Sequence, residues 1–291
     1  YIHMVTDANN QVYEQNGEAN NHNHSNNVLA STYQLDLQLT QLEGPDVLQW
    51  GQTATYTLHV RNNTSLPTLA SSWDDVIYLS TDDVLQNSDR LMQSVRHTTV
   101  LEGGAEYEVE IQVTIPYGTS STAYLIAITD FNSNNPDINV NNNILTKTLT
   151  INSVPTPDLA VNEVVVLDDV YAGQPARLAY KVTNVGEVNI AQQTWTDKSF
   201  VSYNNTYENI DIQLLGKERS NMTLAPNEFY TDTLTFTVPL PYNGDLYLLM
   251  MANASNNPYE VVQNNNTASV AVNVILPLPG DLVVTEVSCD R

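Results

Sequence analysis

Three aspartates in one short segment offer the clearest metal chemistry in this sequence. The segment STDDVLQNSDRL places Asp82, Asp83 and Asp89 in a single connection between two strand-like runs. Carboxylate oxygens grouped in a loop are ligands that Ca²⁺ prefers. The loop lacks the twelve-residue EF-hand pattern, and Asx side chains also close turns on their own backbone. The three aspartates are therefore candidate calcium ligands, and a turn-stabilising role is the alternative that we favour.

A second acidic pattern recurs at fixed offsets after three tyrosines, Tyr1, Tyr124 and Tyr247. Each tyrosine is followed six residues later by Asp or Asn, and thirteen residues later by Asp or Glu. The residues at these offsets are Asp7 and Glu14, Asp130 and Asp137, and Asn253 and Glu260. Equal offsets indicate a shared structural role, and we again favour turns over a bound ion.

Histidines are the remaining candidates for metal or acid–base chemistry. His22 and His24 lie in an Asn-rich segment, with His3 beside it, and such a pair can bind a transition metal. Solvated side chains are the interpretation that we favour. His59 and His97 have no histidine at the matching positions later in the chain. Because a G-x-S-x-G turn and a Gly-rich phosphate loop are also missing from the sequence, we expect no catalytic residues and no cofactor.

Trp50 is the best single candidate for ligand binding. Its counterpart at the matching position later in the chain is Ala172, so a shared fold does not require an aromatic residue there. An exposed indole can stack on a sugar ring. It can equally cap the end of a folded domain or face a neighbouring domain, and we favour these two alternatives.

The charge of the chain limits its partners. There are 10 Lys plus Arg against 33 Asp plus Glu, which gives a net charge of −23. A chain this acidic repels phosphate backbones and anionic bilayers, so we expect no nucleic acid partner. No apolar run reaches the roughly 20 residues needed to span a bilayer, so we expect no membrane insertion by this segment. The lone Cys289 excludes an intrachain disulfide framework and a Cys-rich zinc site.

The three tyrosine phrases indicate an internal repeat. They begin at positions 1, 124 and 247, and both spacings are 123 residues. The repeat predicts two complete units at 33–153 and 154–276. Residues 1–32 would be the last two strands of a preceding unit, and residues 277–291, with a strand at Asp281–Val287, the beginning of a following one. We therefore expect a longer array, and the alternative is that terminal strands of different molecules dock into a fibre.

Apolar residues alternate with polar residues inside each unit. In the second unit Leu178, Tyr180 and Val182 show this period of two, which is typical of a strand with one buried face. Turn-forming Asn, Gly, Pro and Asp separate about seven such runs per unit. An all-β fold of tandem immunoglobulin-like sandwiches follows. Trp73 and Trp195, in the related phrases WDDVIYLS and WTDKSFVS, are expected to be core residues.

The successive blocks of each unit resemble a known family. The phrases PDLAVNEVVVL, LAYKVTNVGE, WTDKSFVSYN, LAPNEFYTDTLTFTVP and YLLMMANASNNPYEVVQNNN are similar to those of CARDB, the cell adhesion related domain found in bacteria. The resemblance implies an immunoglobulin-like fold, a tandem arrangement and a place on the outside of prokaryotic cells. It supplies neither a ligand nor a catalytic motif. The first unit departs locally, with VRNNTS in place of VTNVGE and Gln93 in place of Gly216.

These observations favour a structural or adhesive repeat array of an extracellular or cell-surface protein, which acts as a spacer or stalk. Its partners would be neighbouring repeats of the same chain. The alternatives are a carbohydrate- or protein-binding module of an exported enzyme, with an extracellular protein or glycan as ligand, and a fibre subunit. Catalysis by these residues ranks last.

Overall fold

A computed structural model describes residues 3–13, 21–24, 33–280 and 283–286. The chain divides into two compact units, the first comprising residues 1–115 and 119–152 and the second residues 116–118 and 153–291. Each unit is an immunoglobulin-like β-sandwich, which confirms the fold class expected from the sequence. A short antiparallel hairpin, β1 (His3–Val5) and β2 (His22–His24), precedes the first sandwich in the chain.

The first sandwich consists of a three-stranded and a five-stranded sheet. Its strands are β3 (Leu37–Glu43), β4 (Val47–Gln49), β5 (Thr53–Asn62), β6 (Trp73–Ser80), β7 (Arg90–His97), β8 (Glu106–Thr114), β9 (Thr122–Ile128) and β10 (Ile144–Asn152). The sheet orders are β3-β5-β8 and β4-β10-β9-β6-β7. All neighbours are antiparallel except β4 and β10, which run parallel. A 3₁₀ turn, Val140–Asn143, leads into β10.

The second sandwich has the same plan. Its strands are β11 (Leu159–Val166), β12 (Val170–Tyr171), β13 (Pro175–Asn184), β14 (Ile190–Ser202), β15 (Ile212–Leu224), β16 (Phe229–Thr237), β17 (Gly244–Met251) and β18 (Thr267–Ile275). The sheet orders are β11-β13-β16 and β12-β18-β17-β14-β15, and β12 and β18 form the parallel pair. The strands of the two units therefore correspond one for one.

The alternating residues of each strand form the cores. Leu178, Tyr180 and Val182 are buried on one face of β13, as the period of two predicts. Trp73 and Trp195 are 0% and 1% exposed, so both predicted core tryptophans are confirmed. The expected seven strands are joined by an eighth, β4 or β12. These strands have only three and two residues, too few to show a period in the sequence.

The predicted boundaries at the two ends are only partly described. Tyr1, Glu14 and part of the predicted strand Asp281–Val287 lie outside the described residues, and residues 283–286 are not in a strand. The assignment of 1–32 and 277–291 to further units stays a prediction. In the described part of the chain, no helix has the length and apolar character needed to cross a bilayer.

We expect Trp73→Ala and Trp195→Ala each to lower the free energy of unfolding of their unit by about 3–5 kcal/mol, because each leaves a large cavity. Urea unfolding of the full chain, followed by hydrogen exchange so that the two units are resolved, measures this. The control is Tyr203→Ala, since Tyr203 is 71% exposed and its removal should change stability by less than about 0.5 kcal/mol. A loss below about 1 kcal/mol for either tryptophan would contradict the core role.

Candidate functional site

A buried carboxylate lies beside the core tryptophan of the first unit. Asp75 is fully buried in β6, two residues after Trp73. Its Oδ2 accepts the hydroxyl of Tyr107 at 2.7 Å, and its Oδ1 accepts that of Thr129 at 2.6 Å. Tyr107 in turn accepts the indole N–H of Trp73 at 2.9 Å. The cluster joins strands of both sheets, so its hydrogen bonds cross the core.

Asp75 has no cationic hydrogen-bond partner in the described structure. Burial raises the pKa of the Asp75 carboxyl to about 6, against the lowering effect of the hydrogen bonds from Thr129 and Tyr107. The residue paired with Asp75 on β7 is Val95, and the residue paired with Trp73 is His97. The His97 ring stacks on Trp73 at 4.1 Å between ring centroids. Burial lowers the pKa of His97, so this ring favours its neutral form.

The second unit buries the equivalent carboxylate with a cation. The Oδ2 atom of Asp197 accepts Tyr180 at 2.9 Å, Tyr230 at 2.7 Å and the Nε of Arg219 at 2.8 Å. The Asp197 side chain is fully buried, and that of Arg219 is 11% exposed. Trp195 donates directly to Asp197 at 3.1 Å. The charge of Asp197 is therefore balanced within the core by a guanidinium.

Arg219 is held by a second carboxylate. Asp232 on β16 accepts a hydrogen bond from the Nη2 of Arg219 at 2.6 Å and also pairs with Lys217.

The first unit has different residues at the matching positions. They are His97 for Arg219, Val95 for Lys217, Leu58 for Tyr180 and Val109 for Asp232. The two units thus bury equivalent carboxylates, Asp75 without a cationic partner in the described structure and Asp197 with one.

A second carboxylate in each unit holds the beginning of the first strand. In the second unit Glu260 is fully buried and accepts the backbone N–H of Leu159 at 3.1 Å, Asn253 Nδ2 at 2.7 Å and Asn266 Nδ2 at 2.8 Å. Burial raises the pKa of the Glu260 carboxyl to about 7. Asn265 adds a hydrogen bond to Asp158 at 2.8 Å. The loop between β17 and β18 is thereby held to the start of the unit.

The first unit repeats this fastening with a shorter acid. Asp137 accepts the backbone N–H of Leu37 at 2.9 Å and Asn143 Nδ2 at 3.1 Å. Asn142 donates to Asp36 at 2.8 Å. The residues thirteen after Tyr124 and Tyr247 therefore share a structural role, as their equal offsets predict.

The residues six after each tyrosine close turns. Asp7, Asp130 and Asn253 all have left-handed backbones, with φ of 44°, 47° and 46°. Asp130 accepts the N–H of Asn134 at 2.9 Å, Asn253 that of Asn257 at 2.9 Å, and Asp7 that of Gln11 at 2.7 Å. Asp and Asn tolerate this conformation and cap the following backbone, which is the turn role that we favour from the sequence.

The candidate calcium loop is also closed by its own aspartates. Asp82 accepts the N–H of Val84 at 2.9 Å and the side chain of Gln86 at 2.9 Å. Asp89 accepts the N–H of Gln86 at 2.7 Å. No group of three or more His, Cys, Asp or Glu in the described ranges is arranged to hold a metal ion. The assignment of Asp82, Asp83 and Asp89 as calcium ligands stays a prediction, and the observed bonds are those of a turn.

Trp50 lies at the end of the first sandwich. It is half-buried and packs against the core cluster of that unit. Its indole N–H donates to the carbonyl of Thr119 at 2.7 Å. This is the environment of an end cap, one of the two alternatives that we favour for Trp50. Its role in ligand binding stays a prediction.

An aromatic surface that sequence reasoning missed lies in the second unit. The loop between β14 and β15 exposes 71% of Tyr203 and 79% of Ile210. The ring of Tyr203 contacts that of Tyr242, in the loop between β16 and β17, with centroids 5.9 Å apart. Leu240 in the latter loop is also exposed. We call Tyr203, Ile210, Leu240 and Tyr242 the aromatic surface.

The loop beneath the aromatic surface is built like the acidic loop of the first unit. Thr206 N–H donates to Asn204 at 2.9 Å, and Glu208 N–H donates to Asp211 at 2.8 Å, just as Val84 and Gln86 donate to Asp82 and Asp89. The residues on the outside of the loop also differ. Thr81 and Ser88 of the first unit stand where the second unit has Tyr203 and Ile210.

Two signals in the sequence point to the residues that were missed. The phrase W-x-D occurs in both units and marks Asp75 and Asp197, although only its tryptophan suggests a core position. The aromatic surface is visible as Tyr203 and Ile210 opposite polar residues in an otherwise equivalent loop. The same reasoning that selects Trp50 would have found it.

Comparisons with known proteins agree with the resemblance described above. Residues 156–270 match the CARDB family model. A solved CARDB domain from Pyrococcus furiosus, described as in complex with di-metal ions, is 20% identical, with 41% of this chain and 94% of that chain covered and a TM-score of 0.33. Red sea bream transglutaminase is 11% identical, with 84% of this chain and 32% of that chain covered and a TM-score of 0.26. Among curated proteins none matches.

We expect the first unit to lose stability as the pH rises. A carboxyl whose pKa is raised from 3.8 to about 6 in the folded state contributes its stability fully below pH 3.8 and loses it as the pH rises through 6. The loss amounts to about 3 kcal/mol between pH 4 and pH 7. Asp75→Asn should flatten this dependence in the hydrogen exchange of the β9 amides, after correction for the intrinsic exchange rate.

Asp197→Asn is the matched control in the second unit. It removes the partner of a buried guanidinium and should destabilise that unit by about 3–5 kcal/mol at pH 7. Equal changes in stability at pH 7 for Asp75→Asn and Asp197→Asn would contradict the difference between the two sites, in which Asp197 is paired with a guanidinium and Asp75 is not.

Proposed function

We propose that this chain is a load-bearing structural module of an adhesive protein outside a prokaryotic cell. The proposal starts from the match of residues 156–270 to the CARDB family model. The resemblance to CARDB implies an adhesion-related module and supplies no catalytic motif. In this proposal the two sandwiches act as a spacer or stalk, and their partners are neighbouring repeats of the same chain. The observation that carries the proposal is the way in which each unit fastens its first residues to its last strand.

Each unit fastens its two ends by a parallel strand pair. In the second unit β12 pairs with β18, Val170 opposite Val274 and Tyr171 opposite Ile275, and the Ala172 N–H donates to the Ile275 carbonyl at 2.9 Å. In the first unit β4 pairs with β10 in the same way, and the Trp50 N–H donates to the Asn152 carbonyl at 3.1 Å. Tension along the chain pulls these parallel strands past each other. Their hydrogen bonds must then break together.

Side-chain hydrogen bonds reinforce the fastening. Glu260 holds the N–H of Leu159 at the start of β11, and Asn265 holds Asp158 just before it. Asp137 and Asn142 hold Leu37 and Asp36 in the first unit. Tension that lifts the first strand must therefore break hydrogen bonds to the loop before the last strand. This arrangement suits a module that transmits force.

Single-molecule force spectroscopy of the full chain tests this role. Pulled from its two ends, the chain should unfold in two separate steps, each releasing about 120 residues, or roughly 400 Å of extended chain. As a control, the force is applied within the second unit through cysteines at Asp245 and Asn273, with Cys289→Ser. These residues pair directly near one end of the β17–β18 hairpin, so the hydrogen bonds open one by one. Similar unfolding forces in the two geometries would contradict the load-bearing role.

A second candidate function is glycan binding by the aromatic surface. Tyr203, Tyr242 and Ile210 present apolar faces, and the loop that carries Tyr203 and Ile210 also contains the exposed Asn205 and Asn209, whose amide groups can bond sugar hydroxyls. The shared loop does not require these aromatic residues, since its counterpart in the first unit has the same hydrogen bonds without them. Exposed aromatic residues of this kind mark interaction sites.

Binding of the chain to an array of neutral glycans tests this function. We expect Tyr203→Ala to weaken binding by at least about tenfold, which corresponds to about 1.4 kcal/mol. Thr81→Ala, at the matching position of the first unit, should leave it unchanged. Equal binding by both variants would exclude the aromatic surface as the site.

A further inference from the structure

The hairpin formed by β1 and β2 brings three histidines together. In its antiparallel register His3 pairs with His24, and Val5 pairs with His22. Directly paired residues of a hairpin share one face, and so do residues two apart on a strand. His3, His22 and His24 therefore lie on one face, and all three are exposed. The ring centroid of His3 is 5.5 Å from that of His22 and 5.6 Å from that of His24.

The fold itself does not call for histidine at these positions. The matching hairpin of the second unit pairs Leu249 with Ser269 and Met251 with Thr267. That of the first unit pairs Ile126 with Thr146 and Ile128 with Ile144. The residues that correspond to His3, His24 and His22 are thus Leu249, Ser269 and Thr267 in the second unit and Ile126, Thr146 and Ile144 in the first. A sandwich hairpin of this register forms without any imidazole.

We propose that His3, His22 and His24 together bind a late first-row transition metal ion such as Zn²⁺. Neutral imidazole is a preferred ligand of zinc, copper and nickel. Two histidines two apart on one strand and a third on the neighbouring strand supply three nitrogens on one side of the ion, and water takes the open fourth position of a tetrahedral site. The Cβ atoms that anchor the rings lie about 5–8 Å apart in such a hairpin, a span that three imidazoles can bridge.

Metal binding requires the rings to turn. As the side chains stand they lie tilted against one another, at 44° and 30°, and no group of three His, Cys, Asp or Glu in the described parts of the chain surrounds a common point. Exposed side chains exchange between staggered rotamers at little cost. The net charge of −23 also attracts a cation. Coordination of one ion then replaces the direct contacts of His3 with the other two rings.

The other two histidines are engaged elsewhere. His59 lies between Glu43 and Glu108, with one ring nitrogen toward each carboxylate, at 3.8 Å and 3.4 Å. His97 stacks on Trp73 and hydrogen-bonds to Thr99 at 3.0 Å. Each is a single imidazole. Substituting them therefore separates the hairpin site from general binding of metal by histidine.

Calorimetric titration of the full chain with ZnCl₂ at pH 7.5, in the presence of millimolar Mg²⁺, tests the proposal. We expect one saturable event per chain. His3→Ala and His24→Ala should each weaken it by more than about tenfold, because loss of a ligand costs at least as much as loss of a group that merely orients one. His59→Gln and Met4→Ala, the latter on the opposite face of β1, should leave the affinity unchanged.

Two further measurements make the result decisive. Because protons compete with a metal ion for its ligand nitrogens, the affinity should be lower at pH 5.5 than at pH 7.5. Co²⁺ bound in place of Zn²⁺ should give the intense visible absorption of a tetrahedral site, and His22→Gln should remove it. Binding that survives His3→Ala and His24→Ala, or the absence of a saturable event in the unchanged chain, would overturn the proposal. Thermal melting of each variant confirms that both sandwiches remain folded.

Discussion

The burial of one carboxylate between two sheets is the interaction on which each sandwich depends. A carboxylate removed from water must find donors or lose its charge. Asp197 finds tyrosine hydroxyls, an indole N–H and a guanidinium, and each donor comes from a different part of the unit. Tryptophan fills the core beside it. The position of the carboxylate therefore fixes where the aromatic rings must lie and, through them, how the sheets face each other.

The two units meet this requirement differently. The second supplies Arg219, which itself needs Asp232, so a chain of charges extends from the core to the surface. The first supplies the hydroxyl groups of Tyr107 and Thr129 but no cation in the described structure, and burial raises the pKa of Asp75 instead. The apolar Leu58 and Val109 complete that core where the second unit has Tyr180 and Asp232. Equivalent backbones are thus compatible with an ion pair or with a carboxyl that protonates near pH 6.

The sequence predicts the strands and the core tryptophans because burial on one face imposes a period of two. It also predicts turns at Asp130 and Asn253, since few residues adopt φ near 47°. It does not predict β12, whose two residues are held by pairing with β18 rather than by local preference. The partners of Asp197 escape prediction for a related reason. Tyr180, Arg219 and Tyr230 lie far apart in the chain and meet only through strand register.

Comparison of equivalent positions separates what the fold needs from what it tolerates. The W-x-D phrase and the acid that holds the first strand occur in both units. The W-x-D carboxylates are buried, and each holding acid accepts a backbone N–H of the first strand. Tyr203 and Ile210 occur in one unit, on a loop whose hydrogen bonds are complete without them. The three histidines likewise occur in one hairpin, at positions filled by aliphatic residues and hydroxyls in the others. Side chains that the scaffold does not require, and that face solvent, can serve in binding. For this reason, binding functions of a repeat built in this way are best sought in its exceptions to the repeat.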